Sequence, residues 1–105
     1  EIAYAYNKSV IHDLLRVRLG FRGIINSDTG PIEMMPWGAE ELSVKERYKK
    51  AVESGVNLFS GTADPAMLLE TVKSGMIDIA LIDSSVVRLL KEKFILGLFE
   101  NPYVE

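Results

Sequence analysis

The feature that most constrains this chain is a unit written twice: an amphipathic helix, a glycine, then a short apolar run. In the first copy Val10, Ile11, Leu14, Leu15 and Leu19 recur at helical spacing between Ser9 and Leu19. Gly20 follows where a left-handed helix end is expected, and Gly23-Ile24-Ile25-Asn26-Ser27 reads as a strand. In the second copy Ser43 and Glu46 form a capping box, each able to satisfy a free backbone N–H at the helix start. Val44, Tyr48, Ala51 and Val52 make the buried face, Gly55 closes the helix, and Val56 to Ser60 is the second strand. Two short strands, each preceded by a helix, imply a parallel sheet and an α/β fold.

The remainder continues in helices. Asp64-Pro65 predicts a side-chain cap with proline at the first helical position, opening a helix that ends at Gly75. A last helix is expected from Asp83, read as its cap, with Val86, Leu89, Leu90 and Phe94 on one face. Gly97 to Tyr103 then leads away as a tail. Two strands alone leave open edges and a half-exposed core, so the pattern calls for a partner segment. Glu1 is no start residue and Pro102-Tyr103-Val104-Glu105 stops without a fold end, so the expectation is a piece of a longer polypeptide.

Charge and composition exclude several classes. The formal net charge is −3 with scattered charges, which argues against nucleic acid, since that needs a clustered basic face. No apolar run approaches the roughly 18 residues of a membrane span. Without cysteine, disulfides and thiolate metal sites are excluded from this segment. His12 has no second ligand at metal spacing and reads as a surface residue, so no metal site is expected. The run Lys45-Glu46-Arg47-Tyr48-Lys49-Lys50 reads as a charged outer helix face. No glycine-rich phosphate loop with a lysine is present.

The residues that carry chemistry follow the first strand. Gly23 opens it and Asp28 ends it, so the strand delivers a carboxylate to the rim of a sheet. Taken alone, an aspartate there is more often a turn former. Next comes the loop from Thr29 to Leu42, with Met34, Met35, Pro36 and Trp37. Apolar side chains on such a loop line something or pack onto neighbouring segments. Trp37 and Met35 are therefore candidate walls for a ring-shaped ligand, with packing the slightly favoured alternative. Glu33, Glu40 and Glu41 are rejected as a second acid, the latter two as solvated residues leading into a helix. Asn57, inside the second strand, reads as a buried hydrogen-bonding residue.

Leu14-Leu15-Arg16-Val17-Arg18-Leu19-Gly20-Phe21-Arg22-Gly23, the Ser27-Asp28 strand end, Ala51-Val52-Glu53-Ser54-Gly55-Val56-Asn57-Leu58 and Arg88 to Phe99 stand in one order and spacing. Together they closely resemble the glycoside hydrolase family 3 enzymes, over nearly all 105 residues. The resemblance implies the last two β/α units of a (β/α)8 TIM-type barrel, incomplete as a stand-alone domain, over residues 1–96, with 97–105 starting a linker toward a second domain. It implies a retaining exo-β-glycosidase, in the first place a β-glucosidase, acting on β-linked oligosaccharides or glycosides. Asp28 matches the family's nucleophile; Thr29 stands where the family often has tryptophan, which puts the aglycone side in question. The acid/base matches nothing here and is expected from the remainder of the parent polypeptide, so the isolated chain is expected to be inactive. No cofactor is required, and the resemblance points to a periplasmic or secreted enzyme. The competing class is a non-catalytic carbohydrate-binding or interaction fragment.

Overall fold

The computed structural model describes residues 1–61 and 64–104. Their order is a short 3-10 turn at Tyr4–Tyr6, helix α1 at Ser9–Arg18, α2 at Val44–Ser54, α3 at Ala66–Lys73 and α4 at Ile79–Ile95. The buried apolar residues form one cluster that includes Tyr6, Ile11, Ile32, Tyr48, Ala51, Val52, Val56 and Ile77. Helix α2 lies at its centre and fits its sequence. Ser43 Oγ accepts from the Glu46 N–H while a Glu46 oxygen accepts from the Ser43 N–H, and Gly55 ends the helix at a φ of 111°.

Helix α1 departs from the expected α geometry. It is a π-helix, with bonds reaching back five residues, as in the Leu19 N–H to Leu14 C=O bond of 2.9 Å. The five apolar residues at α-helical spacing therefore do not share one buried face. Ile11 is buried, while Leu14 and Leu19 are 40% and 66% exposed. Five residues past Ile11, Arg16 turns inward: both side chains come up against Gly55, where an added Cβ would meet Ile11 Cγ2 at 2.9 Å and Arg16 Nε at 4.0 Å.

The expected strands are also shorter than the sequence suggests. Parallel pairing is present, but among the described residues it amounts to one bridge, between Asn26 and Leu58. Leu58 N–H donates to Ile25 C=O at 3.2 Å and Ser27 N–H to Leu58 C=O at 2.8 Å. Side chains take the next rungs in both directions. On the early side, Arg16 Nη1 donates to Gly23 C=O at 3.0 Å and Ile25 N–H donates to Asn57 Oδ1 at 3.0 Å. On the late side, Ser60 N–H donates to Ser27 Oγ at 3.1 Å, and Gly30 N–H reaches Ser60 C=O at 3.0 Å.

Asn57 is half-buried and matches its expected part. Besides Ile25, its Oδ1 accepts from Arg16 Nη2 at 2.7 Å, and its Nδ2 donates to Ser85 Oγ at 2.9 Å. One amide thus ties α1, both extended segments and α4 together. Burial, and next the neighbouring Arg88, hold the Arg16 guanidinium below its ordinary pKa.

Helix α4 begins five residues before the expected start. Asp78, not Asp83, is its cap, accepting from the Ala80 N–H at 2.9 Å, and Asp83 lies exposed within the helix. Its inner face is also different. Ile82 packs against the core, whereas Val86, Leu90 and Phe94 are exposed, and no residue of α4 is fully buried. Asp64 accepts from Ala66 N–H at 2.9 Å as expected of a helix start, but Pro65, expected at the first helical position, is itself the cap of α3. In the 97–105 tail, Gly97 has a φ of 67° and Phe99 packs on Phe94 with ring centroids 4.5 Å apart; Glu105 lies outside the described residues.

The charged run of α2 is not all solvated. Tyr48 is core, and the Arg47 guanidinium donates to the carbonyls of Ile32, Ala39 and Glu40, each at 3.0 Å. Lys49 pairs with Glu53 on the outer side, as expected of a surface helix.

Two substitutions in the full-length protein test these supports. Asn57→Leu strands the Arg16 guanidinium and the Ile25 N–H, and losing hydrogen bonds to a charged group should cost about 3 kcal/mol, read by denaturant unfolding. Asn57→Asp keeps an acceptor for both and should cost less than half as much. Arg47→Lys retains the charge but not the planar fork. It should speed proteolytic cleavage within residues 32–41 about tenfold while leaving cleavage elsewhere unchanged.

Candidate active site

The first extended segment ends at Ser27, 5% exposed, and hands the chain to the exposed Asp28. Thr29 N–H donates to Asp28 Oδ1 at 2.7 Å, fixing one carboxylate oxygen over the start of the loop. Ser27 Oγ donates to the Asp28 carbonyl at 3.0 Å. The acid thus projects from a chain turn held on both sides.

The loop beyond it is anchored from below. Pro31 and Ile32 are fully buried, and the Tyr6 hydroxyl donates to Pro31 C=O at 2.8 Å. Burial pushes the Tyr6 phenol above its ordinary pKa, partly offset by Arg47. The far side of the loop is held by Arg47, by Lys50 Nζ donating to Gly38 C=O at 3.3 Å, and by Ala3 N–H donating to Trp37 C=O at 2.9 Å. With its backbone fixed, the Trp37 ring stands 57% exposed, and Met35 is half-buried beside it.

These residues meet in one cleft of about 810 Å³. Its lining includes Asn26, Ser27 and Asp28, the loop residues Met35 and Trp37 with the adjoining segment Glu1–Ala5, and the apolar Ile11, Ile25 and Val56. Asp28, Met35 and Trp37, separate in the sequence reading, are therefore brought together. Glu1 also lines the cleft. Glu33, Glu40 and Glu41 do not, and all three are exposed. Glu40 accepts from the Gly38 N–H, and backbone hydrogen bonds of this kind hold its carboxyl below the usual range.

The cleft offers apolar surface with a carboxylate at its edge, which suits a molecule with one flat apolar face and polar groups around it. Among the described residues no group of three or more histidine, cysteine or acidic side chains is placed to hold a metal ion. His12 is exposed and pairs with Asp13 at 2.8 Å. A second cleft, of about 760 Å³, lies at the early end of the segment near Gly23, with Arg16, Arg22, Arg88 and Lys91 among its lining.

The sequence reading missed the part played by Ser60, whose N–H, carbonyl and hydroxyl all engage the segment bearing Asp28. Its Oγ donates to Asn26 Oδ1 at 2.7 Å. Nothing local marks it, because its partners lie thirty or more residues away.

Residues 3–91 match the family described as glycosyl hydrolase family 3 N terminal domain. Over 98% of its length the chain is 42% identical to beta-glucosidase C of Emericella nidulans, of which it covers 18%. It is 41% identical, over 99% of its length, to the periplasmic beta-glucosidase/beta-xylosidase of Dickeya chrysanthemi, of which it covers 19%. The chain thus spans about a fifth of the length of these relatives. Among solved structures, the beta-glucosidase of Listeria innocua in complex with isofagomine superposes with a TM-score of 0.84 at 31% identity, over 97% of this chain and 14% of that one. The same enzyme in complex with glucose gives a TM-score of 0.83 at 30% identity, with the same coverage. The chain belongs to glycosyl hydrolase family 3, its residues 3–91 falling within that family's N-terminal domain.

Proposed function

We propose that this chain is the nucleophile-bearing part of a retaining exo-β-glycosidase, a β-glucosidase in the first place, and that Asp28 is the nucleophile. The observation that carries the reading is the position of Asp28: it ends a paired segment on the rim of a cleft walled by Met35 and Trp37. Residues 1–96 are then the last two β/α units of a (β/α)8 barrel, and 97–105 begin a linker to a second domain. Catalytic groups of such barrels stand where strands end and loops begin, as Asp28 does. The exposed apolar residues of α4 and the short ladder fit a segment completed by the remainder of its polypeptide.

In this reading an Asp28 oxygen attacks the anomeric carbon of the terminal sugar while an acid from elsewhere in the polypeptide protonates the departing oxygen. The glycosidic bond breaks and a glycosyl ester forms on Asp28. Water, deprotonated by that same acid/base group, then attacks the anomeric carbon and releases the sugar with overall retention. No cofactor enters either step. The substrate is a β-linked oligosaccharide or glycoside, in keeping with the glucose and isofagomine complexes of the Listeria innocua enzyme.

In the full-length enzyme, Asp28→Asn should lower kcat by about three orders of magnitude with little change in folding, since losing the covalent route restores several kcal/mol of barrier. A 2-deoxy-2-fluoro-β-glucoside with a good leaving group should label Asp28 in a peptide map. A label on another carboxylate, or activity within tenfold of the parent, would overturn the assignment.

Trp37 supplies an apolar platform on the leaving-group side, worth about 1.4 kcal/mol. Trp37→Ala should lower kcat/KM for disaccharides about tenfold while costing less with small aryl glycosides. Equal losses on both substrate classes, together with a lowered Tm, would make Trp37 a packing residue instead.

A further inference from the structure

A nucleophilic carboxylate must meet the anomeric carbon within about 3–3.5 Å and along the right line, and a displacement near 1 Å can cost about a hundredfold in rate. Asp28 itself is exposed, and among the described residues its carboxylate is held by the Thr29 N–H and by no side chain. Its aim depends on the backbone that carries it, and Ser60 fastens that backbone on both sides of Asp28. Ser27 Oγ, almost fully buried, accepts from Ser60 N–H at 3.1 Å and donates to the Asp28 carbonyl at 3.0 Å. Two residues past Asp28's other side, Gly30 N–H donates to Ser60 C=O at 3.0 Å. Gly61, at a φ of 75°, lies so close beneath the turn that a Cβ there would stand 2.5 Å from Thr29 Cγ2 and 3.1 Å from Gly30 N.

We propose that Ser27 is a positioning residue for the Asp28 carboxylate, with Ser60–Gly61 as the fixed post to which it fastens the turn; the proposal rests on Asp28 being the nucleophile. A hydroxyl suits the task because one oxygen donates and accepts at once. Had Ser60 N–H bonded the Ser27 carbonyl, the parallel ladder would have continued, keeping the chain extended through Asp28. Taking the hydroxyl instead ends the ladder and lets the chain turn, so that Thr29 N–H faces the carboxylate. Gly61 leaves room for that turn, and any side chain there would push Thr29 and Gly30 away.

The test uses the full-length enzyme and the trapping rate of a 2-deoxy-2-fluoro-β-glucoside, with isofagomine affinity measured in parallel. Ser27→Ala should slow trapping between tenfold and a hundredfold, while isofagomine affinity stays within threefold. Ser27→Thr, which keeps the hydroxyl, should trap within threefold of the parent rate. Gly61→Ala should slow trapping at least tenfold by an independent route, and it decides the question should Ser27→Ala fail to accumulate folded. Trapping within threefold of parent in folded Ser27→Ala would overturn the proposal, as would the same result in Gly61→Ala where Ser27→Ala does not accumulate folded. So would a Ser27→Thr variant as slow as Ser27→Ala, or equal losses of trapping and isofagomine affinity. These results separate from a failure of the underlying assignment. If Asp28→Asn abolishes trapping while Ser27→Ala traps normally, the positioning role falls and the nucleophile stands; a label on a different carboxylate removes both.

Discussion

The structure depends on one half-buried amide. Asn57 stands in the second extended segment and gathers Arg16 of α1, the Ile25 N–H of the first segment and Ser85 of α4. A guanidinium withdrawn from water is costly unless its donors are met. Asn57 Oδ1 and the carbonyls of Phe21 and Gly23 meet them, and in doing so they fix where α1 ends and where the first segment begins. The distance from that hub to Asp28 is then set by the few residues of the segment itself. Arg47 does the same on the other flank, where three carbonyls of the 32–40 loop converge on one planar group. Two arginines and one asparagine therefore locate a cleft whose own lining is mostly apolar.

Much of this was legible in the sequence, and what was hidden had physical reasons. The capping box at Ser43 and Glu46 and the glycine at 55 are local signals read within one turn of helix, and α2 follows them. A lone amide between Val56 and Leu58 announces a satisfied hydrogen-bonding residue, because an apolar strand has no other use for it. The register of α1 was not legible: α and π spacing differ by one residue per bond, and the apolar pattern fits the α choice although Arg16 wins the inward position. The start of α4 was missed because Asp78 and Asp83 both stand ahead of a helical apolar pattern and either could cap. Only the fold shows that the helix begins before Ile82, which it uses to reach the core.

The site divides along the same line. A carboxylate at the end of an apolar run, followed by a loop with two methionines and a tryptophan, is visible to anyone reading residues in order, and Asp28, Met35 and Trp37 do line one cleft. Arg47 was concealed by its company, for in a run of alternating charge nothing distinguishes the one side chain that turns inward. Ser27 and Ser60 were concealed by chemistry. A hydroxyl next to an acid is unremarkable until a partner 33 residues away selects its oxygen over the neighbouring carbonyl.

The sequence separations at the Asn57 amide bear on the order in which the chain assembles. Its bond to Arg16 spans 41 residues and its bond to Ser85 spans 28. Closing loops of that length costs entropy that no single hydrogen bond returns, whereas the capped turn of α2 forms from neighbours alone. Helices can thus form early as separate pieces, with the Arg16 charge still in water. Desolvating that charge becomes worthwhile only when the segments supplying its acceptors arrive together. The Arg16 cation has its full set of acceptors only where α1 and both extended segments stand together, so this one contact registers their joint placement.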